Sequence, residues 1–402
     1  MRFLWVISLL LSSMTGVAQH VITGKVIDLY NKKPIPKASV FLSNTTVGGS
    51  TNEDGSYSLT NVKPGQYDII VSAVGYETSQ RTILVNGKLD IPFTELTPKT
   101  IALNAVVVKP DPEREQNYNM FKREFFGPTD FTAECKILNP EVLELAYDRS
   151  AQTLTASSND YLEIENKALG YKLKYKLLDF TRDFNTGKFF YMGNVLFERM
   201  KGKPSQMKKW YKNRLFAYQG SLEHYLRSII SNLNTQEGFK TLQLIRKPNT
   251  NRPPDSLIQA KIKKFKPVPA KGNILVLSDS LAYWNSKNRL PRYTEYLVTK
   301  PLRIDSLVKR TDMNGVYAIA YQDILYVLYT KKRSDNSYTN TLMNAPDNLT
   351  SLMNITAPHA FFDNNGVILN PASVIVEGNW GASRVANLLP VDYDPGEKDL
   401  KK

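Results

Sequence analysis

The sequence predicts a mainly β chain with a large α+β remainder, and three observations carry that reading. Short stretches of alternating apolar and polar residues, cut by turn signals, run from Val21 to Thr78. Beyond Pro110 such stretches alternate with segments at helical spacing. The length, 402 residues, suits two or three domains with ordinary hydrophobic cores.

Met1 to Ala18 reads as a secretory leader, with one arginine, an apolar stretch from Phe3 to Leu11 and small residues at Gly16 and Ala18. The mature chain is expected to start at Gln19. The apolar run is too short to span a bilayer, and no later stretch reaches the roughly 20 apolar residues that spanning requires. An exported protein without a transmembrane segment is expected, in the periplasm, on the outer membrane or at the cell surface. No cysteine stands at the new N-terminus to take a lipid anchor. The one cysteine, Cys135, excludes an internal disulfide and reads as a small buried residue.

The formal net charge is +14, and most of the excess falls after Pro110, in Lys201–Arg214, Lys261–Lys266 and Lys331–Arg333. Such a surface attracts anions. Outside the cytoplasm the natural partners are an envelope protein, an anionic glycan or lipid headgroups, with peripheral membrane association open and nucleic acid not expected.

Along the first module, Val21–Leu29 alternates as a strand and Asn31–Pro36 breaks it. Ala38–Leu42 forms a second strand. Thr51-Asn52-Glu53-Asp54-Gly55 is a turn in which Gly55 takes positive φ, and Ser56–Leu59 resumes alternation. The acidic pair lacks the further oxygens of a calcium loop. Lys63-Pro64-Gly65 is the next turn, after which Tyr67–Val74 alternates up to Gly75-Tyr76-Glu77. Together Gly24-Lys25-Val26, Pro36–Val40, Asp54-Gly55-Ser56-Tyr57, Pro64-Gly65-Gln66-Tyr67 and Gly75-Tyr76 resemble the carboxypeptidase regulatory-like domain. The resemblance covers about a quarter of the chain. It implies a seven-stranded, transthyretin-like Greek-key β-sandwich over residues 19–109, completed by strands near Gln80–Val85, Leu89–Glu95 and Thr100–Lys109. Such a module stabilises, spaces or presents a neighbour, and it brings no active site.

After it, Asp111 and Pro112 cap a linker helix over residues 110–126, with Tyr118, Phe121, Phe125 and Phe126 near one face and Gly127-Pro128 at its end. Residues 127–250 are expected to hold strands from Val142 to Asn166, a long hairpin (Tyr171–Phe184 with Lys188–Met200) and two helices between Ser205 and Leu233. Gly220 breaks the helices and Ser221 caps the second. The loop Asn249–Pro254 is the best boundary candidate in this region, and a single domain that joins both sides of it is the alternative. Residues 255–402 read as β-rich, with strands at Asn273–Leu277, Val316–Ala320, Ile324–Thr330, Val367–Leu369 and Val374–Glu377, and a turn at Asp363-Asn364-Asn365-Gly366. Leu138-Asn139-Pro140-Glu141, Trp210-Tyr211-Lys212-Asn213-Arg214 and Glu377-Gly378-Asn379-Trp380 resemble an uncharacterised C-terminal portion of secreted Bacteroidota proteins that carry the regulatory-like module. That resemblance implies architecture and compartment, and no catalytic residue is carried over.

Catalytic signatures are missing from the sequence. The histidines His20, His224 and His359 have no metal-binding neighbours; neither His-x-x-Glu with a later histidine nor His-Glu-x-x-His occurs. No Gly-x-Ser-x-Gly elbow or phosphate-binding glycine loop is present. Ser205-Gln206-Met207-Lys208, Ser306-Leu307-Val308-Lys309 and Ser334-Asp335-Asn336 match two elements of penicillin-binding enzymes, but Lys-Thr-Gly is missing. No metal or cofactor is expected. For ligand binding, Trp210, Tyr211, Lys212 and Arg214 interleave aromatic rings with cations, which suits sugar stacking; at helical spacing half of them should face a core. Asp255-Ser256-Leu257, Asp279-Ser280-Leu281 and Asp305-Ser306-Leu307 repeat one tripeptide. It resembles an O-glycosylation acceptor pattern of Bacteroidota, making Ser256, Ser280 and Ser306 candidates, and equally suits helix and turn caps. The leading expectation is a non-enzymatic envelope protein whose sandwich presents the basic region. The alternative is a secreted carbohydrate or peptide hydrolase, for which Glu163, Glu165 and Glu377 are the first carboxylates to test.

Overall fold

A computed structural model describes residues 20–99, 112–265, 279–333 and 348–396. The leader, the strands expected at Thr100–Lys109 and Asn273–Leu277, and Ser334-Asp335-Asn336 lie outside them.

The N-terminal strands are β1 (His20–Asp28), β2 (Ser39–Leu42), β3 (Gly48–Ser50), β4 (Ser56–Val62), β5 (Gly65–Ser72), β6 (Ser79–Val85) and β7 (Leu89–Leu96). They pair as two sheets, β4-β1-β7 and β3-β2-β5-β6, with β1 parallel to β7. Period-two alternation aims one face of each sheet inward, so Ile22, Val26, Leu59 and Ile91 meet Val40, Leu42, Ile69 and Val85 in one core. Seven strands are thus complete by Leu96, because the exposed β3 supplies one that the alternation pattern missed. Gly55 takes φ +77°, and a Cβ there would meet the Val26 carbonyl oxygen at 2.5 Å.

A second body is built from α1 (Arg114–Phe126), β8 (Cys135–Ile137), β9 (Leu143–Asp148), β10 (Thr153–Ser158), β11 (Leu162–Asn166), β12 (Tyr171–Asp183) and β13 (Phe189–Arg199). The long strand β12 organises it: β13 pairs along one edge, while β11 and β10 share the other. Tyr171, Leu173, Tyr175 and Leu177 point inward between outward Lys172 and Lys174. A register shift after Leu177 then keeps Phe180 inside. The expected linker helix is instead part of this core. Phe121, Phe125 and Phe126 are fully buried, and the Phe121 and Phe125 rings meet Phe180 and Tyr175 edge-on. Each buried ring contributes about 1.5–3 kcal/mol by area alone, far more than a connector needs.

Next come α2 (Pro204–Tyr218) and α3 (Leu222–Ile230), broken at Gly220, with the Ser221 hydroxyl accepting from the His224 amide as a cap. The last region comprises β14 (Phe239–Pro248), α4 (Asp255–Phe265), α5 (Asp279–Arg289), β15 (Tyr293–Val298), β16 (Val308–Arg310), β17 (Val316–Ile319), β18 (Ile324–Arg333), β19 (Asn348–Ile355), β20 (Ala360–Asp363), β21 (Val374–Gly378) and α6 (Asn379–Ala382). Its sheets run β15-β14-β18-β19-β21 and β16-β17-β20. Val367–Leu369, expected as a strand, makes only the single bridge of Ile368 to Phe362.

The expected division at residues 250–255 moves. Tyr218 belongs to the core of the six-stranded sheet and Tyr225 to that of the five-stranded one, so the change of core falls at Gly220. The loop 249–254 lies between two paired strands: Pro248 on β14 faces Tyr293 on β15, and α4 and α5 fall in the sequence inserted between them. The region 255–402 is therefore less purely β than expected. It is not continuous either, since Val385, Ala386, Leu389 and Tyr393 return to the core of the six-stranded sheet.

Candidate functional site

Of the four residues first nominated for ligand binding, two are interior. Trp210 is 5% exposed; its Nε1 donates to the Lys167 carbonyl at 2.8 Å, and its ring fills space that Gly170 and Gly202 leave free. Arg214 is 3% exposed, donates from Nε to the Leu169 carbonyl at 2.8 Å and lies 4.2 Å from the centroid of the Tyr171 ring. The helical stripe places them on the inward face of α2, so both belong to packing. Lys212 is exposed, and half-buried Tyr211 donates from its hydroxyl to the Pro395 carbonyl at 3.3 Å. These two alone of the four remain toward solvent.

Ser256 and Ser280 stand in the first turns of α4 and α5, and Ser306 lies in the 3₁₀ turn Ile304–Ser306; all three are exposed. The repeated tripeptide thus opens two helices, while its third copy closes a 3₁₀ turn that begins at Ile304. Glu163 and Glu165 lie on β11, where Glu165 pairs with Lys167 at 3.1 Å, while Glu377 lies on β21 in another sheet. His224 is buried against Tyr218 and Phe239, and its Nδ1 accepts from the Gly220 amide at 3.1 Å. Burial, partly offset by Glu237, holds it below the ordinary imidazole range.

The richest polar constellation sits where the sandwich meets the later elements. Asp363, at the end of β20, is fully buried; one carboxylate oxygen accepts from the amides of Asn365 (3.0 Å) and Val367 (2.9 Å), the other from Asn365 Nδ2 (3.1 Å). Asn365 Nδ2 also reaches the Pro64 carbonyl and the Tyr67 hydroxyl, each at 3.3 Å. Gly65 makes this approach feasible, because a Cβ there would lie 2.2 Å from Asn365 Nδ2. From α3, Arg227 donates to the carbonyls of Asn365 (2.7 Å), Val391 (2.7 Å) and Tyr393 (3.2 Å), and pairs with Glu223. Asp392 closes the group by accepting from the amide and hydroxyl of Thr46.

Three carboxylates around one guanidinium leave excess negative charge in a poorly hydrated place. Burial raises Asp363 despite its hydrogen bonds and lifts Glu223 to about 7, the Arg227 charge notwithstanding. Burial likewise raises Tyr67, with Asp363 adding to it. A second seam lies beside the first. The Asn44 amide donates to the Val195 carbonyl (2.7 Å), the Phe197 amide to the Thr45 carbonyl (2.9 Å), and Asn194 bridges Ser43 and Gln80. The sandwich is therefore bonded to β13 and to the turn after β20 at once.

Sequence reasoning saw Asp363-Asn364-Asn365-Gly366 only as a turn. Its partners Pro64, Tyr67 and Arg227 are more than a hundred residues away, and the available clue is an aspartate at the end of an apolar stretch, Ala360-Phe361-Phe362.

Two facing sheets around one core define the N-terminal module as a β-sandwich joined to a larger α+β body. Residues 22–108 match the family model described as the CarboxypepD_reg-like domain. No curated protein matches the sequence. Among solved structures, the chain is similar to a type II cohesin–X-dockerin complex from Acetivibrio cellulolyticus, at 14% identity over 19% of this chain and 56% of that one, with a TM-score of 0.18. It is also similar to the group B streptococcus pilus 2b backbone protein (20% identity, 20% of this chain, 42% of that one, TM-score 0.18). A DUF3823 family protein from Bacteroides ovatus gives 13% identity over 46% of this chain and 82% of that one, with a TM-score of 0.17. The matched stretch thus spans only about half of the first two chains. Among the described residues, no helix is long and apolar enough to cross a membrane, and no three His, Cys, Asp or Glu side chains are grouped to hold a metal ion.

Proposed function

We propose that the chain is a non-enzymatic exported protein of the cell envelope, in which the sandwich is a docking module that holds the basic α+β body toward an envelope protein or anionic glycan. The observation that carries this reading is the double seam: Asn365 and Asn364 on the Pro64 carbonyl, Asp392 on Thr46, and Asn194 between Ser43 and Gln80. A module tethered only by a flexible linker would present nothing in a fixed direction, whereas bonds to two separate elements fix the orientation of the α+β body. That body carries the charge. The segment 249–292 alone holds nine lysines and arginines against Asp255 and Asp279, in a chain of net charge +14.

In-cell cross-linking of the tagged full chain, with mass spectrometry of the linked peptides, tests the reading. A reproducible envelope neighbour linked through the basic region supports it. Recovery of the protein solely as a free species, or measurable turnover of a glycan or peptide abolished by replacing one carboxylate, overturns it.

A further inference from the structure

Among the described residues, strand β15 is an open edge of its sheet. It pairs with β14 on one side, and no strand pairs with its other side among the described residues. The ladder tells which groups face outward. The Asn249 amide donates to the Arg292 carbonyl at 2.9 Å, one step beyond the Pro248–Tyr293 pair. Antiparallel pairs alternate, so Thr294, Tyr296 and Val298 are the residues hydrogen-bonded to β14, while Tyr293, Glu295 and Leu297 turn their N–H and C=O groups away from the sheet. Pro248 fits that alternation, standing in a non-hydrogen-bonded pair where its missing N–H costs nothing.

Edges are ordinarily blunted by a proline, an inserted lysine, a bulge or a covering element. Here the strand Tyr-Thr-Glu-Tyr-Leu-Val has neither proline nor lysine, and its pairing with β14 shows no register shift. Its only charge, Glu295, is drawn off to Arg246 at 2.7 Å. Apolar side chains stand exposed on both faces: Tyr293 (50%) and Leu297 (40%) on one, Tyr296 (60%) and Val298 (36%) on the other. Both ends of the strand are flanked by cations. Arg289 and Arg292 precede it, Lys300 and Arg303 come after it, and exposed Arg289 and Lys300 have no acidic partner among the described residues. Two copies pairing antiparallel along this edge would set the leading cations of one against the trailing cations of the other, which is repulsive.

We propose that the open edge of β15 binds an extended, acidic segment of a partner protein by strand addition, its backbone meeting Tyr293, Glu295 and Leu297 and its flanking carboxylates meeting Arg289 and Lys300. The exposed tyrosines, Leu297 and Val298 supply shallow apolar rests for alternate side chains of the incoming strand, and the ladder supplies most of the affinity. The proposal rests on the reading of the chain as a binding protein and names the surface and the partner chemistry.

Panning a phage-displayed library of random peptides, about twelve residues long, on the full chain tests it. Enrichment of peptides with alternating apolar residues and flanking Asp or Glu is expected. Synthetic copies should bind about tenfold or more weakly to Leu297→Pro, which removes an outward N–H and spares the bonds to β14. The double variant Arg289→Glu/Lys300→Glu keeps the backbone intact and should abolish the acidic preference, so the test survives misfolding of the proline variant. Three results overturn the proposal: no enrichment, enrichment without acidic bias, or equal binding by a folded Leu297→Pro. A concentration-dependent dimer in sedimentation that Leu297→Pro dissolves also overturns it, by assigning the edge to a second copy. In-cell cross-links that map away from β15 would overturn this proposal and leave the broader binding role standing.

Discussion

The guanidinium of Arg246 on β14 donates to both oxygens of Glu377 on β21, at 2.6 and 3.0 Å, although β18 and β19 lie between those strands. In a flat sheet three strand spacings amount to about 14 Å. The five-stranded sheet is therefore wrapped around the apolar face formed by Leu242, Leu244, Ile324, Tyr326, Leu328 and Leu352, and the ion pair draws its two sides together. Glu295 adds a third member at 2.7 Å.

Arg246→Met leaves two carboxylates facing each other with no counter-charge. Both are 35% exposed, so water screens much of the repulsion, and a loss of about 1–2 kcal/mol is expected in urea unfolding at low salt. The loss should shrink in high salt, and combining Arg246→Met with Glu377→Gln should recover part of it. A loss indifferent to salt would show that Arg246 acts through its aliphatic stem alone.

Trp210 offers a direct choice between packing and ligand binding. Its ring lies against Gly170 and Gly202, and its one polar atom is already bonded to Lys167. Trp210→Ala should cost about 3–5 kcal/mol, as cavity-forming aromatic truncations do. Gly170→Ala should be strongly destabilising too, because Gly170 sits at φ +70° and an added Cβ would fall 2.2 Å from the indole. Unchanged thermal stability of Trp210→Ala would return the residue to the candidate ligand site.

The three serines of the Asp-Ser-Leu repeats are exposed, Ser256 and Ser280 in the first turns of helices and Ser306 at the end of a 3₁₀ turn, where a transferase can reach them. If they are acceptors, intact-mass spectra of protein isolated from a native host will show glycan additions that disappear stepwise with Ser256→Ala, Ser280→Ala and Ser306→Ala. Unmodified tryptic peptides across all three sites would leave them as caps alone.

The sandwich was legible because its turns are written in residues with fixed conformational habits. Gly55 takes the positive φ that its turn demands, whereas Gly65 lies in extended backbone at the start of β5 and is required by the close approach of Asn365. Strand β3 escaped because Gly48 and Gly49 carry no alternation, and β19 because buried Thr350 and Ser351 interrupt its apolar pattern. Helices α4 and α5 were hinted at only through their Asp-Ser-Leu starts; each buries a single side chain, Ile258 or Leu281, too little for a periodic stripe. In the candidate site, the burial of Trp210 was implicit in helical spacing. The Asp363–Asn365–Arg227 joint was not, since its parts come from five separate segments and each reads locally as a turn, a cap or a surface charge.

Cys135 should be a poor nucleophile. Burial, with Glu134 beside it, pushes its thiol up to about 12, and its sulfur points toward the Phe131 carbonyl at 3.3 Å. At pH 8 native protein is expected to react with a thiol-specific disulfide reagent at least about a hundredfold more slowly than the urea-unfolded chain, whose thiol has a pKa of about 8.5. Equal rates would show that the thiol is open and ionised in the fold.

The joint behind the sandwich should respond to pH through Glu223. Its carboxyl is raised to about 7, chiefly by burial, with Asp363 and Asp392 adding to the rise and Arg227 and Lys63 opposing it. A free glutamate titrates near 4.3, so between about 4.3 and 7 the folded protein holds a proton that the unfolded chain releases. The contribution is complete below about pH 4.3, falls as pH rises, and is gone once pH passes about 7. His224 works in the opposite sense: its depressed pKa favours the fold above about 6.5 and withdraws that support as pH falls. Comparing wild type with Glu223→Gln isolates the glutamate. In urea unfolding from pH 4.5 to 8 the variant should gain on wild type steadily as pH rises and stop gaining above about 7, because the uncharged amide spares the joint its surplus negative charge. A stability difference that stays constant across that window would show that Glu223 keeps its ordinary acidity, and that Arg227 neutralises it in full.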